Sequence, residues 1–308
     1  MAEAVPSRHV AIIGLGLIGS SIARAVAERL LDMTVSGYDA DPVTRAKARE
    51  LGLANRVTET AGEAVAGADL IILCVPVGAM GAVAQEIRDH LSPGAIISDV
   101  GSSKASVLAA LTEALPGHAI IPAHPVAGTE RSGPEAGFAA LFHNRWCILT
   151  PPDGADADKV AKLSAFWEAL GANVDLMDAP HHDLVLAVTS HLPHLIAYTI
   201  VGTASDLESV TRSEVIKYSA GGFRDFTRIA ASDPTMWRDV FLNNKDAVLE
   251  MLQRFSEDLT ALQRAIRWGD GDALFDLFSR TRAVRRSIIE EGQDYDRPDF
   301  GRSDHIGS

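Results

Sequence analysis

Short apolar runs alternate with segments of helical period through the first half of the chain. Residues 9–14 read as a strand followed by a helix to about residue 30, and residues 33–38 and 42–51 repeat the pair. Residues 69–75 (DLIILCV) are almost continuously apolar, the pattern of a strand buried on both faces. Residues 79–90 read as a helix, 95–99, 119–122 and 145–150 as strands, 160–170 as a helix and 174–177 as a last strand. Strands alternating with helices predict right-handed crossovers and a mostly parallel sheet, hence an α/β fold.

The pattern changes near residue 179, beyond which no strand is expected. Residues 185–203, 205–215, 234–267 and 272–289 read as helices, with Ser232-Asp233-Pro234 as a start signal. The expected organisation is a cofactor domain over 1–179, an all-α domain over 180–292 and a polar tail over 293–308. Residues 184–205 carry no formal charge, and 22 residues are enough to span a bilayer. The stretch contains His191, Pro193, His194 and several Ser and Thr, without a flanking basic cluster, and reads instead as a buried helix at a domain or subunit core. No membrane association is expected.

Composition narrows the classes further. Of 308 residues 47% are hydrophobic, enough to build a core, and the net charge is −13. That acidity argues against nucleic acid and anionic lipid as partners. The two cysteines, Cys74 and Cys147, lie far apart without a CxxC, so neither a disulfide framework nor a cysteine zinc site is expected. Residues 1–9 hold no apolar core of signal-peptide length, which points to the cytoplasm.

The segment Gly14-Leu15-Gly16-Leu17-Ile18-Gly19 matches G-x-G-x-x-G between a predicted strand and helix, the context of a dinucleotide loop. Gly14 permits the tight turn, Gly16 lets a pyrophosphate approach the backbone, and Gly19 lets the helix pack on the strand. Leu17 and Ile18 open the helix, whose N-terminus offers amide donors. Asp39, 20 residues after Gly19, can accept hydrogen bonds from a ribose and repel a 2′-phosphate, which favours NAD+. Arg45 nearby leaves NADP+ open. Val75 and Pro76 end the third long strand beside the same crevice.

Asp99-Val-Gly-Ser102-Ser103-Lys104 also follows a strand and opens a helix. Ser102 and Ser103 are either helix caps or, for Ser102, a ligand contact. His124, in His124-Pro-Val-Ala-Gly-Thr129-Glu130-Arg-Ser-Gly133, follows a strand; it is either a proton acceptor for an alcohol losing hydride or a satisfied loop histidine. His191 and His194, spaced i, i+3, share one helix face and meet a ligand or a partner helix. A zinc reading needs a third ligand, for which His181 and His182 are candidates, and no metal is expected. Gly222, Asp225 and Arg228 in GGFRDFTR combine flexible backbone with an arginine fork that suits a carboxylate, or form a surface turn with an Asp225–Arg228 pair.

Taken together, GLGLIGSS, DVGSSK, HPVAGTERSG, TSHLPH and GGFRDFTRIAASDPTMWRD, spread over residues 14–239, resemble the prephenate/arogenate (cyclohexadienyl) dehydrogenase family. The family more often has glycine where this chain has Ser20. The resemblance implies a Rossmann-type domain followed by a helical dimerisation domain, and oxidative decarboxylation of prephenate to 4-hydroxyphenylpyruvate or of arogenate to tyrosine with hydride transfer to NAD+ or NADP+. It implies that His124 binds the ring hydroxyl, that Ser102 lies near ring and nicotinamide, and that Arg228 holds a substrate carboxylate. By the same resemblance Glu130 and Asp225 form an ionic gate with Arg228, and one or both of His191 and His194 line the pocket, with Thr129 and Gly222 beside them. A homodimer is implied, and inhibition by tyrosine at the active site is expected because tyrosine resembles the product. About 70 residues follow Trp237, too few for an appended regulatory domain on this expectation. The rival readings are another dehydrogenase of the same two-domain plan, acting on a hydroxy acid or an imine, and a non-catalytic NAD(P) sensor.

Overall fold

The computed structural model describes residues 8–129, 131–211 and 221–290. Strands β1 (His9–Ile13), β2 (Thr34–Tyr38), β3 (Arg56–Val57), β4 (Leu70–Leu73), β5 (Ile96–Asp99) and β6 (Ala119–Ile120) form one sheet. Its order is β3-β2-β1-β4-β5-β6, and each pairing is parallel. Helices α1 (Leu17–Arg29), α2 (Pro42–Glu50), α3 (Ala61–Val65), α4 (Met80–Ile87) and α5 (Ala105–Ala114) lie on the connections. The register aligns Ile13 with Tyr38 on one side and with Leu73 on the other, and Leu73 with Asp99. Gly14, Asp39, Cys74 and Val100 therefore leave the sheet along one edge. The strand order reverses between β1 and β4, which opens a crevice at that edge.

Alternation along the strands builds a core on each face. Val10, Ile12, Leu70, Ile72 and Ile96 pack with Ile22 and Val26 of α1 and with Phe142, Phe166 and Trp167. Ala11, Ile13, Ile71, Leu73 and Ile97 pack with Met80, Ile87, Val107 and Leu111 on the other side. Each fully buried Leu or Ile contributes roughly 1.5–3 kcal/mol relative to an exposed one.

The expected strand over 119–122 is split. Pro122 cannot donate to a ladder, and the chain leaves the first sheet after β6. It re-enters as β7 (Ala123–Pro125) in a second sheet with β8 (Trp146–Leu149) and β9 (Asn173–Leu176), β7 being antiparallel to β8. Helix α6 (Ala157–Ala169) joins β8 to β9. His124 thus sits within a buried strand rather than in a loop.

No strand follows β9 among the described residues. Helix α7 (Ala179–Leu186) runs into a π turn, Ala187–His191, and then into α8 (Leu192–Thr211). Pro193 lacks the donor that would bond the carbonyl four residues back and crowds that carbonyl, which accounts for the irregular turn. The break expected near residue 204 is absent, because α8 passes through it; residues 212–215 of the expected second helix lie outside the described residues. After α9 (Gly221–Thr227), the long helix expected over 234–267 is two: α10 (Pro234–Asn243) and α11 (Lys245–Trp268), followed by α12 (Gly271–Glu290). Asn244 divides them, with φ −115° and ψ 35°. Met1–Thr199 with Ile229–Val248 make one compact unit, and Ile200–Arg228 with Leu249–Ser308 another. The run Ala179–Leu207 is long and apolar enough to cross a bilayer by length and composition.

Candidate active site

The glycine loop divides its labour as its spacing predicts. Gly14 has φ +100°, and a Cβ there would collide with the Cys74 carbonyl. A Cβ on Gly19 would collide with the Gly14 carbonyl. Gly16 faces open space, with nothing within 4 Å of such a Cβ. No side chain caps α1 and no acid lies in its first turn, so the amides of Leu17, Ile18 and Gly19 stay available to an anion. Ser20 is buried, its hydroxyl donating to the Gly16 carbonyl (2.6 Å) and covered by Gly137, where a Cβ would strike it.

Asp39 anchors the loop: its carboxylate accepts from the Leu15 amide (2.8 Å) and the Asp41 amide (2.9 Å). Arg45 donates to the carbonyls of Asp39 (2.8 Å) and Ala40 (3.1 Å), pairs with Glu59 (3.1 Å), and lies over the Tyr38 ring. Val75 is half-buried and Pro76 exposed at the end of β4. The loop glycines, the open α1 N-terminus and Asp39 fit a dinucleotide.

The second helix start differs from expectation. Neither Ser102 nor Ser103 caps α5. The Asp183 carboxylate on α7 does so, accepting from the amides of Lys104 (2.7 Å) and Ala105 (2.9 Å). Ser102 is half-buried, and the buried Ser103 hydroxyl has no hydrogen-bond partner among the described residues. Lys104 is fully buried against Asp99 and also donates to the Ala123 carbonyl (2.7 Å). Asp99 accepts from the amides of Gly101 (2.7 Å) and Ala123 (3.2 Å). Burial opposes both charges, drawing the lysine down and the acid up, while each ion supports the other. The pair ties the end of β5 to the start of β7, next to His124.

His124 Nδ1 lies 2.9 Å from His182 Nε2, and His182 Nδ1 lies 2.9 Å from Asp183 Oδ1. The carboxylate only accepts here, so His182 carries its proton on Nδ1. Its bare Nε2 then accepts from His124 Nδ1–H. The order of donors leaves His124 Nε2 as a lone pair, with no hydrogen-bond partner among the described residues. Burial, then the neighbouring His182, Lys104 and His191, hold the His124 pKa well below the ordinary range, so the ring is neutral near pH 7. A neutral imidazole with a free lone pair is a proton acceptor.

His191, fully buried at the end of the π turn, acts on His124 electrostatically and lies by the Ser102 backbone. His194 donates from Nδ1 to the Ser190 carbonyl (2.8 Å) and stacks on Trp237 at 3.6 Å between centroids. Ser102, His124 and His191 therefore come together. Thr129 is exposed, its hydroxyl accepting from the Arg131 amide (3.2 Å). Glu130 lies outside the described residues. Gly222, Asp225 and Arg228 belong to the second compact unit, on α9 and the turn after it, and are exposed. The sequence reading missed Asp183, Asn244 and Trp237, and weighed His182 only as a metal ligand. For His182 and Asp183 the one visible signal is His-His-Asp directly before an uncharged helix; Asn244 and Trp237 carry none.

The family model for the prephenate dehydrogenase nucleotide-binding domain matches residues 22–176, and that for the prephenate dehydrogenase dimerization domain matches residues 178–280. The chain belongs to the prephenate dehydrogenase family. It is 48% identical to a cyclohexadienyl dehydrogenase of Zymomonas mobilis over 91% of this chain and 96% of the relative. With a prephenate dehydrogenase of Bacillus subtilis it shares 31% identity over 91% of this chain and 76% of that one. The crystal structure of the Aquifex aeolicus prephenate dehydrogenase with hydroxyphenyl propionate and NAD+ superposes with a TM-score of 0.86 at 32% identity, covering 93% of this chain and all of that one. As a prephenate dehydrogenase family member, the chain has a Rossmann-type domain followed by a helical one.

Proposed function

We infer that this chain is a cyclohexadienyl dehydrogenase of tyrosine biosynthesis, converting prephenate to 4-hydroxyphenylpyruvate, arogenate to tyrosine, or both. Family membership carries the reaction, and the lone pair on His124 Nε2 is the observation that carries the mechanism. A bound nicotinamide would take the hydride from the ring carbinol carbon. His124 accepts the hydroxyl proton as that carbon becomes a carbonyl. The ring carboxylate departs as CO2, its bonding pair passing through the ring to the new carbonyl oxygen, and the resulting phenolate takes up a proton to give the phenol. Aromatisation drives the step, so the protein chiefly supplies orientation and one base.

His182 and Asp183 hold His124 in the required tautomer, and Ser102 sits beside ring and nicotinamide. The family resemblance supports substrate contacts for His191, His194, Thr129 and Gly222, a carboxylate-binding role for Arg228, and a gating role for Glu130 and Asp225. NAD+ is the preferred cofactor: Asp39 faces the loop, and Arg45 is engaged by two carbonyls and Glu59 rather than held for a 2′-phosphate. Residues 1–179 form the cofactor domain and 180–292 the substrate and dimer domain. The matched dimerization model and exposed Leu249, Leu259, Trp268, Phe275 and Phe278 support a homodimer. The enzyme works in the cytoplasm, and tyrosine, which resembles the product, competes for the active site.

Steady-state kinetics with prephenate and arogenate, each against NAD+ and NADP+, tests the reading. Turnover of at least one substrate with NAD+ favoured is expected; no turnover of either would sink it. His124→Asn should fold and bind cofactor while losing about a thousandfold in kcat. Near-normal kcat would remove His124 from the base role.

A further inference from the structure

The break at Asn244 turns a polar side chain inward at the end of α10. Asn244 is only 5% exposed. Its amide nitrogen donates to the Asp183 carbonyl (2.8 Å) and reaches His191 Nδ1 at 3.0 Å. A backbone carbonyl can only accept, which fixes the amide with its NH2 group on that side. The second N–H then points at His191, whose Nδ1 must accept. The ring's proton consequently lies on Nε2. That nitrogen is buried and, among the described residues, has no well-formed hydrogen-bond partner; the Ser102 backbone offers it only a weak acceptor, which favours the charged ring slightly. A buried donor without a partner is costly unless a ligand supplies one.

We propose that Asn244 is a positioning residue: it locks His191 with its proton on Nε2, so that His191 meets the substrate as a hydrogen-bond donor to an acceptor oxygen. The inference rests on the reading above that places His191 in the substrate pocket. It gives the site two histidines of opposite sense, His124 a fixed acceptor and His191 a fixed donor. Asp183 joins them, its carboxylate ordering His182 and through it His124, its carbonyl ordering Asn244 and through it His191. The groups that bear on the His191 ring are Asp183 and His182 from α7, His194 from α8 and His124 from β7. Desolvation outweighs them and holds His191 down at about 4.

Nitrogen-15 spectra of histidine-labelled protein, with the ring assigned through His191→Gln, report which nitrogen bears the proton. The expected result for the unmodified chain is Nε2, and a proton on Nδ1 overturns the proposal whether or not any variant folds. Asn244→Asp replaces the donor by an acceptor, moving the proton to Nδ1 and leaving Nε2 bare. KM for the substrate should then rise about tenfold at pH 8 with kcat changed less than about threefold. It should recover on acidification, as a second proton restores Nε2–H; a purely structural defect gives no such recovery. A pH-independent KM in Asn244→Asp, equal to that of the parent, overturns the proposal. If the parent turns over neither substrate, the enzyme reading fails instead, and the spectra still decide the tautomer.

Discussion

Two helices begin at the same edge of the main sheet, and their N-termini are treated in opposite ways. At α1 the glycines strip side chains from the approach, no residue caps the first amides, and Gly16 faces open space. At α5 the same kind of terminus is closed, both oxygens of Asp183 taking its amides from 79 and 78 residues away. An open terminus is an anion site; a terminus capped by a carboxylate is a rivet. The α5 rivet locates α7, and with it His182, against His124. One end of the crevice is thus built to hold charge from outside, and the other to hold neutral histidines in fixed tautomers.

The contrast breaks most sharply at Gly16. Gly16→Val should leave Tm within about 2 °C yet raise KM for NAD+ about a hundredfold, because the branched side chain fills the space a pyrophosphate needs. An unchanged KM in initial-rate measurements would show that the open terminus is not the anion site.

Acid should attack the other end. His124, His182 and His191 all have pKa values below the ordinary 6.5, chiefly from burial. Below pH 6.5 the unfolded chain takes up protons that the folded chain refuses, so stability falls as pH drops, for His191 until about 4. That ring alone contributes roughly 3 kcal/mol to the loss between those limits. Urea denaturation at intervals from pH 7 to 4 should show the decline, flattened in His191→Gln; an equal slope in that variant would contradict the assignment. The smallest effect is expected for Asp183→Asn, which keeps one acceptor but loses the charge at the α5 terminus, at a cost of about 2 kcal/mol. A loss below about 0.5 kcal/mol would mean that α5 does not depend on the rivet.

Much of this molecule is legible in one dimension because it follows from local rules. The G-x-G-x-x-G spacing, the strand before it and Asp39 at the end of the next strand lie within one short βαβ unit, and each glycine has its own steric reason. Helix interruptions were harder. The π turn follows from Pro193, but the break at Asn244 has no strong breaker in the sequence and is fixed by what its amide meets. Ser102 and Ser103 looked like caps because capping residues normally stand beside the helix they serve. Here the cap arrives from α7.

The sequence by itself determined the α/β order, the cofactor loop and the cast of polar residues, since periodicity and glycine spacing act over a few residues. Only the tertiary structure decided what those residues do. Which carboxylate caps α5, which nitrogen of His124 is free and which nitrogen of His191 carries a proton depend on hydrogen bonds between groups 53 to 79 positions apart. A histidine's chemistry is set by what its other nitrogen touches, and no local pattern records that contact.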